Sequence, residues 1–253
     1  MIGPLPYIGG KRRLAPTIAT LLPPHVTYVE PFAGGAQVFF HKSPSAVEVL
    51  NDLDDEIVNF LRVCQQHSGE LVRWLRYAVA SRQLHEWFSR QDPKLLSDVQ
   101  RAARLLYLQK NSFGGRVDRR NFHFAVAKPQ NYTPLRLPQI LAATARRLAR
   151  VQLECLPYER VLAQYDRPTT CFYLDPPYVG RRLYRFNFRD EDFVTLANRL
   201  RGLKGRFLLS INDHAVSRAV FAGFHCREVS LAYTSNRMVP QVTELLYSNF
   251  PLQ

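Results

Sequence analysis

The stretch Val26-Thr27-Tyr28-Val29-Glu30-Pro31-Phe32-Ala33-Gly34-Gly35 decides how this 253-residue chain is read. Its first five residues are β-branched, aromatic or apolar apart from the closing glutamate, and Pro24 and Pro31 bound them. That pattern predicts a buried strand. The glycines that follow predict a tight turn, and Val38-Phe39-Phe40 suits a helix. A second strand is predicted over 46–50, ending in Asn51-Asp52, with a helix starting near Asp54. Strand, helix, strand, helix is the signature of a parallel α/β sheet.

Outward from this unit the pattern changes and then returns. From about Val63 to Leu108 apolar residues recur at helical spacing, as in Leu71, Trp74, Leu75 and Ala78. A loop from Lys110 to Pro134 follows, rich in Gly, Arg, Asn and aromatics, and loops this long inside a domain usually carry function. Strands are then predicted over 151–156, 170–174, 206–211, 224–232 and 242–248, with helices over 190–200 and 214–222. The simplest reading is one α/β domain, residues 1–62 and 146–253, interrupted by a helical insertion at 63–145.

Composition narrows the partner. Hydrophobic residues make up 46% of the chain, which supports a substantial core and opposes extended disorder. Lys and Arg number 34 against 21 Asp and Glu, a net charge of +13 that attracts polyanions, nucleic acid first. No apolar run approaches a membrane span, and the first residues lack the basic and apolar segments of a secretory signal, so the expectation is a cytoplasmic protein. Cys64, Cys155, Cys171 and Cys226 have no paired spacing and are expected to be buried free thiols, with no metal site.

Two constellations carry chemistry. In Glu30-Pro31-Phe32-Ala33-Gly34-Gly35 the glycines let the backbone approach a ligand closely. Asp52, at the end of the next strand, stands where dinucleotide-binding folds place a carboxylate for ribose hydroxyls. The turn is not GxGxxG, so an adenosine-bearing ligand without a pyrophosphate is favoured. The second constellation is Phe172-Tyr173-Leu174-Asp175-Pro176-Pro177-Tyr178. An apolar strand delivers a carboxylate, and two prolines hold the chain extended beyond it. The Asp175 carboxylate and the Pro176 carbonyl can accept hydrogen bonds from one amino group, raising electron density on its nitrogen. Tyr178 offers an aromatic face for a flipped base. Ahead of both lies Tyr7-Ile8-Gly9-Gly10-Lys11, a glycine turn with a cation.

In their order these motifs resemble the Dam-type (D12 class, α group) DNA adenine-N6 methyltransferases. The resemblance continues through Asn51-Asp52-Leu53, Leu106-Tyr107-Leu108, Phe113-Gly114-Gly115-Arg116, Ser210-Ile211-Asn212-Asp213 and Thr243-Glu244-Leu245-Leu246. It implies a Rossmann-like S-adenosylmethionine-dependent methyltransferase fold with a helical target-recognition insertion. It implies catalysis by Asp175, Pro176, Pro177 and Tyr178. Cofactor contacts are implied at Tyr7, Lys11, Glu30, Phe32, Ala33, Gly34, Gly35, Asp52, Leu53, Tyr158 and Asp175, with Lys11 near the methionine end and Tyr158 near the adenine. The chain departs from the family at Pro157, where many members are acidic. It departs again after Asn121-Phe122, where Ala125, Val126 and Ala127 stand without the usual Pro and Gly. GATC specificity is therefore not carried over.

Duplex DNA is the expected substrate, bound as a monomer, with a cognate restriction enzyme as a further candidate partner. Lys110, Asn111, Arg116, Arg119, Arg120, Asn121 and Lys128 supply side chains that read base edges or neutralise phosphates, with Arg116 the first choice for a base. A second basic cluster, Arg181, Arg182 and Arg185, follows the catalytic turn. Asp-Pro-Pro-Tyr also serves cytosine, RNA and protein amides, so the residues themselves specify an amino-group acceptor and adenine rests on the resemblance. A DNA-binding protein without catalysis and a nucleotide-binding oxidoreductase are the rival classes.

Overall fold

β1 (Thr27–Glu30) forms where the β-branched and aromatic run predicts it, and it becomes an inner strand of a seven-stranded sheet. The computed structural model describes residues 1–112, 121–122, 132–231 and 242–252. After β1 come α2 (Gln37–His41), β2 (Val47–Asn51) and α3 (Asp55–Gln66), preceded by α1 (Ala15–Leu21). The second half supplies β3 (Gln152–Glu154), α8 (Tyr158–Tyr165), β4 (Thr170–Leu174), α9 (Asp190–Arg201), β5 (Arg206–Asn212), α10 (Ala215–Val220), β6 (His225–Leu231) and β7 (Val242–Ser248). The order across the sheet is β3-β2-β1-β4-β5-β7-β6. β3, β2, β1, β4 and β5 run parallel, while β7 runs antiparallel to both β5 and β6. This is a Rossmann-like arrangement.

Two consequences for the site follow. β1 and β4 are adjacent in the sheet, and the chain leaves them towards opposite edges. That junction is where an open α/β sheet holds its ligand, beyond the carboxyl ends of the strands. Because β7 runs the other way, residues near its start, Thr243 and Glu244, lie at this same edge, opposite Asn212 at the end of β5.

Side chains alternate between two cores. Tyr28, Leu50, Tyr173, Leu208 and Leu246 pack to one side, and Val29, Val49, Phe172, Leu209 and Leu245 to the other. The second face is covered by α8, α9 and α10 through Val161, Phe193, Leu196 and Phe221. The first face is shared with the insertion. Its α4 (Ser68–Leu75), α5 (Arg82–Arg90), α6 (Asp98–Asn111) and α7 (Leu137–Leu148) contribute Leu71, Phe88, Tyr107 and Leu141 to the same cluster as Tyr28 and Phe39. The expected division at residue 62 falls inside α3, which packs on both α6 and α7.

Local signals set the helix ends. Asp54 caps α3 through the Glu56 N–H, and Ser97 and Gln100 form a capping box at α6. The last helix of the insertion is tied to the sheet by Arg147, whose guanidinium pairs with the buried Glu48, donates to the Phe39 carbonyl and lies 3.6 Å from the Phe39 ring centre.

Expectation and structure differ on two cysteines. All four thiols are free, and Cys64 and Cys171 are buried, but Cys155 and Cys226 are exposed. Cys226 sits on the edge strand β6, paired on one side only, opposite Tyr247 of β7, and Cys155 directly follows the opposite edge strand β3. Among the described residues no helix is long and apolar enough to cross a membrane.

Candidate active site

At the carboxyl ends of β1, β2 and β4 lies a cavity of about 550 Å³, within the range that holds nucleoside-sized ligands. The turn after β1 forms its floor. Gly34 has a positive φ of 47°, and a Cβ there would stand 3.0 Å from the Tyr7 ring, so only glycine lets that ring close over the turn. The Asp52 carboxylate accepts from the Gly34 N–H at 2.8 Å and from the Asp54 N–H at 2.9 Å. Burial, with the neighbouring Asp54 charge, pushes Asp52 up to about 6 against these hydrogen bonds.

The cavity's far wall is aromatic. Phe32, Tyr158 and Phe188 meet with ring centres 5.3–5.7 Å apart. A carboxylate at one end and an aromatic slot at the other fit a ribose and an adenine, so the residues present suit an S-adenosyl group. Ala33, Gly35 and the exposed Leu53 also line the cavity. Glu30 lines it too, but Oε1 is spent on the Tyr28 hydroxyl at 2.6 Å and the Phe39 N–H at 2.8 Å. Burial pushes that carboxyl up to about 8.

Asp175 follows β4 at the other side of the cavity. Its Oδ1 accepts from Lys11 Nζ at 2.5 Å and from the Ser210 hydroxyl at 3.1 Å. Ser210 in turn contacts the Tyr173 hydroxyl at 2.7 Å. Burial raises the carboxyl, Lys11 lowers it and Glu244 raises it again, leaving it pushed up to about 6. Among the described residues no hydrogen bond ends on Asp175 Oδ2 or on the carbonyl of the buried Pro176.

Lys11 lines the cavity, as expected, yet its ammonium is turned to the catalytic turn. It bonds Asp175, the Tyr178 hydroxyl at 2.8 Å and the Gly9 carbonyl at 3.2 Å, and it pairs with Glu244 at 3.2 Å. Burial alone would lower its pKa, but Asp175, Tyr178 and Glu244 outweigh burial and hold it well above the usual lysine value. The backbone after Pro177 is clamped by Asn212, whose side chain accepts from Val179 N–H at 2.9 Å and donates to its carbonyl at 3.2 Å. On the far side of Tyr178 a second cavity of about 450 Å³ is lined by Gly9, Arg181, Leu183, Asn212, Asp213 and Thr243.

Several supporting residues had no assigned role in the sequence reading. Tyr184 stacks on Tyr7 at 5.9 Å and 16°, roofing the cofactor cavity, and donates to the Ile8 carbonyl. Ser210 bonds Asp175, and Glu244 bonds Tyr178 and pairs with Lys11. The available signal was a polar residue in each otherwise apolar strand, Phe207-Leu208-Leu209-Ser210-Ile211 and Glu244-Leu245-Leu246.

The DNA-facing expectations divide. Arg116, Arg119, Arg120 and Lys128 lie outside the described residues. Asn121 is exposed beside Phe122, which bridges to Ser112. Asn111 does not face a ligand: it is fully buried in the last turn of α6 and donates to the Tyr107 carbonyl at 2.9 Å. The helical spacing that buries Tyr107 and Leu108 carries Asn111 inward as well. Lys110 is half-buried, and burial with the nearby Arg12 guanidinium holds it below the usual lysine value. Arg181 and Arg182 are exposed. Arg185, of the same cluster, is paired with Asp54 at 3.0 Å and Asp55 at 2.7 Å beside the cofactor cavity. Among the described residues no group of three or more His, Cys, Asp or Glu side chains is placed to hold a metal ion.

A Rossmann-like sheet that joins an adenosyl-sized cavity to an Asp-Pro-Pro-Tyr turn defines an S-adenosylmethionine-dependent methyltransferase of amino groups. Comparison with known proteins narrows the class: the profile of the D12 class N6 adenine-specific DNA methyltransferases matches residues 7–235, and the chain belongs to that family. It is 25% identical to the Type II methyltransferase M1.LlaDCHI of Lactococcus lactis subsp. cremoris, over 96% of this chain and 94% of that protein. It is 26% identical to the Type II methyltransferase M.CviBI of Paramecium bursaria Chlorella virus NC1A, over 82% of this chain and 81% of that protein. The DNA N-6-adenine-methyltransferase of Escherichia phage P1 is 25% identical over 68% of this chain and 23% of that protein. The protein is thus a DNA methyltransferase that modifies adenine N6.

Proposed function

We propose that Asp175 and the Pro176 carbonyl receive the N6 amino group of an adenine flipped out of duplex DNA, with Tyr178 stacked on the base. The observation that carries this reading is the division of labour on Asp175, which lines the cavity: Lys11 and Ser210 occupy Oδ1, while Oδ2 carries no hydrogen bond from the described residues. An amine held by two acceptors keeps its lone pair for attack, and fixed geometry supplies most of the rate. Bound in the cavity, S-adenosylmethionine supplies an electrophilic methyl group. Asp52 holds its ribose, while Phe32 and Tyr158 hold its adenine. As the N–C bond forms at N6 and the bond from the methyl group to sulfur breaks, with S-adenosylhomocysteine leaving, positive charge passes to that nitrogen. The Asp175 carboxylate faces this charge, and it takes the surplus N6 proton on its way to solvent. The cavity beyond Tyr178 is the seat of the flipped base, and unstacking costs a few kcal/mol.

The helical insertion, residues 63–145, is proposed to carry target recognition, with Arg116 and Asn121 towards base edges and Lys110, Arg119, Arg120 and Lys128 towards phosphates. Arg181 and Arg182 hold the backbone flanking the flipped nucleotide. A net charge of +13 supports this reading. The protein acts as a monomer in the cytoplasm, and Type II relatives favour a partner restriction enzyme. Nucleoside analysis and modified-base sequencing of DNA from cells expressing the chain test the proposal. N6-methyladenine confined to one sequence context is expected; N4-methylcytosine would overturn it.

A further inference from the structure

Glu244 is a buried carboxylate near the start of β7, 2% exposed, on a strand otherwise devoted to the core. Burying such a group costs stability unless it is paired, and an apolar residue would serve the core better. Its side-chain partners among the described residues are nevertheless Tyr178 of the Asp-Pro-Pro-Tyr turn and Lys11, which itself bonds Asp175. Both of its oxygens accept from the Tyr178 hydroxyl at 3.1 Å, and Oε1 stands 3.2 Å from Lys11 Nζ. The antiparallel course of β7 brings it there, opposite Asn212 at the end of β5.

Three charges therefore share one buried cluster: two carboxylates and one ammonium. If Lys11 had only Asp175 to pair with, its charge would cancel that of Asp175 and leave a weak acceptor for an amine. A second carboxylate divides the lysine between them. The same group fixes the Tyr178 ring, because the hydroxyl is held between Lys11 as donor and Glu244 as acceptor.

We infer that Glu244 is a positioning residue for methyl transfer: it draws Lys11 away from full neutralisation of Asp175 and pins the Tyr178 ring for the incoming base. This rests on the reading of Asp175 as the acceptor of the target amine. The titratable groups facing Asp175 among the described residues are Lys11, Glu30, Tyr173, Tyr178, Tyr184 and Glu244. Of these, Glu244 raises the Asp175 carboxyl and Lys11 lowers it. Removing the Glu244 charge thus keeps Asp175 ionised to lower pH.

The test measures methyl incorporation into unmethylated genomic DNA across pH for the wild type, Glu244→Gln, Glu244→Asp and Asp175→Ala. Calorimetric affinity for S-adenosylhomocysteine reports whether the cofactor cavity is intact. In Glu244→Gln, kcat is expected to fall about tenfold to a hundredfold. Its acid limb should move to lower pH and S-adenosylhomocysteine affinity should stay unchanged. Glu244→Asp keeps the charge and should hold the acid limb at the wild-type position. Wild-type kcat in Glu244→Gln, an unmoved acid limb, or lost S-adenosylhomocysteine binding would each overturn the inference, the last by making Glu244 a purely structural residue. An active Asp175→Ala would instead sink the underlying reading of Asp175. An inactive Asp175→Ala beside an unaltered Glu244→Gln would sink only the role of Glu244.

Discussion

Asp52 and Asp175 follow β2 and β4, parallel strands of one sheet with β1 between them, and burial pushes both up to about 6. Their neighbours differ. Asp52 is held by the main-chain N–H groups of Gly34 and Asp54, fixed dipoles that leave it suited to neutral hydroxyls. Asp175 is held by the Lys11 ammonium, with Ser210 and Glu244 behind it, and so is matched to a group that becomes positive. In the proposed function the same side chain at the same kind of strand end thus serves binding in one place and chemistry in the other. What surrounds the carboxylate decides which.

The largest expected effect separates the two. Asp175→Ala should lower kcat by about a thousandfold or more while DNA binding in a mobility-shift assay is largely retained. Near wild-type methyl incorporation would remove the distinction. Asp52→Ala should weaken S-adenosylhomocysteine binding by about tenfold to a hundredfold in calorimetry, with kcat near wild type at saturating cofactor. A fall in kcat instead would make Asp52 part of the chemistry.

A smaller effect concerns pH. The Asp175 pKa is raised in the folded protein, so the ionised carboxylate is present above about 6 and is lost as pH falls through that value. Single-turnover methyl transfer should follow that limb, and a rate flat down to pH about 4, where an unperturbed carboxylate titrates, would contradict it. The smallest effect is expected from Arg185→Ala. This half-exposed side chain is committed to Asp54 and Asp55, so DNA affinity should hardly change and stability should move by no more than about 1 kcal/mol. A large loss of DNA affinity would instead place Arg185 with Arg181 and Arg182 on the DNA backbone.

Legibility in the sequence followed the same division. β4 over Thr170–Leu174 and β7 over Val242–Ser248 coincide with their predicted ranges, because apolar period and proline or polar boundaries mark both ends. That Asp52 and Asp175 line one cavity was legible because each carboxylate ends a parallel strand, where an open α/β sheet holds its ligand. Asn111 was misread from residue type alone: an amide that reads adenine in a groove also satisfies a buried helix carbonyl, and only the helix phase tells them apart. Glu244 and Ser210 carried a signal, a polar atom in an apolar strand. Their partners lie 66 and 35 residues away, and only the antiparallel placement of β7 and the pairing of β4 with β5 bring them together. The shared core of the sheet and the insertion was likewise invisible, since helical spacing gives a buried face without saying what buries it.

The division between the two carboxylates is tested most directly by the S-adenosylhomocysteine affinity of the double variant Asp52→Ala, Asp175→Ala. The product carries a neutral sulfur, so the Asp175 charge should contribute little to holding it. The double variant should therefore bind as weakly as Asp52→Ala alone and no weaker. A further loss of affinity beyond that of Asp52→Ala would contradict the separation of binding from chemistry.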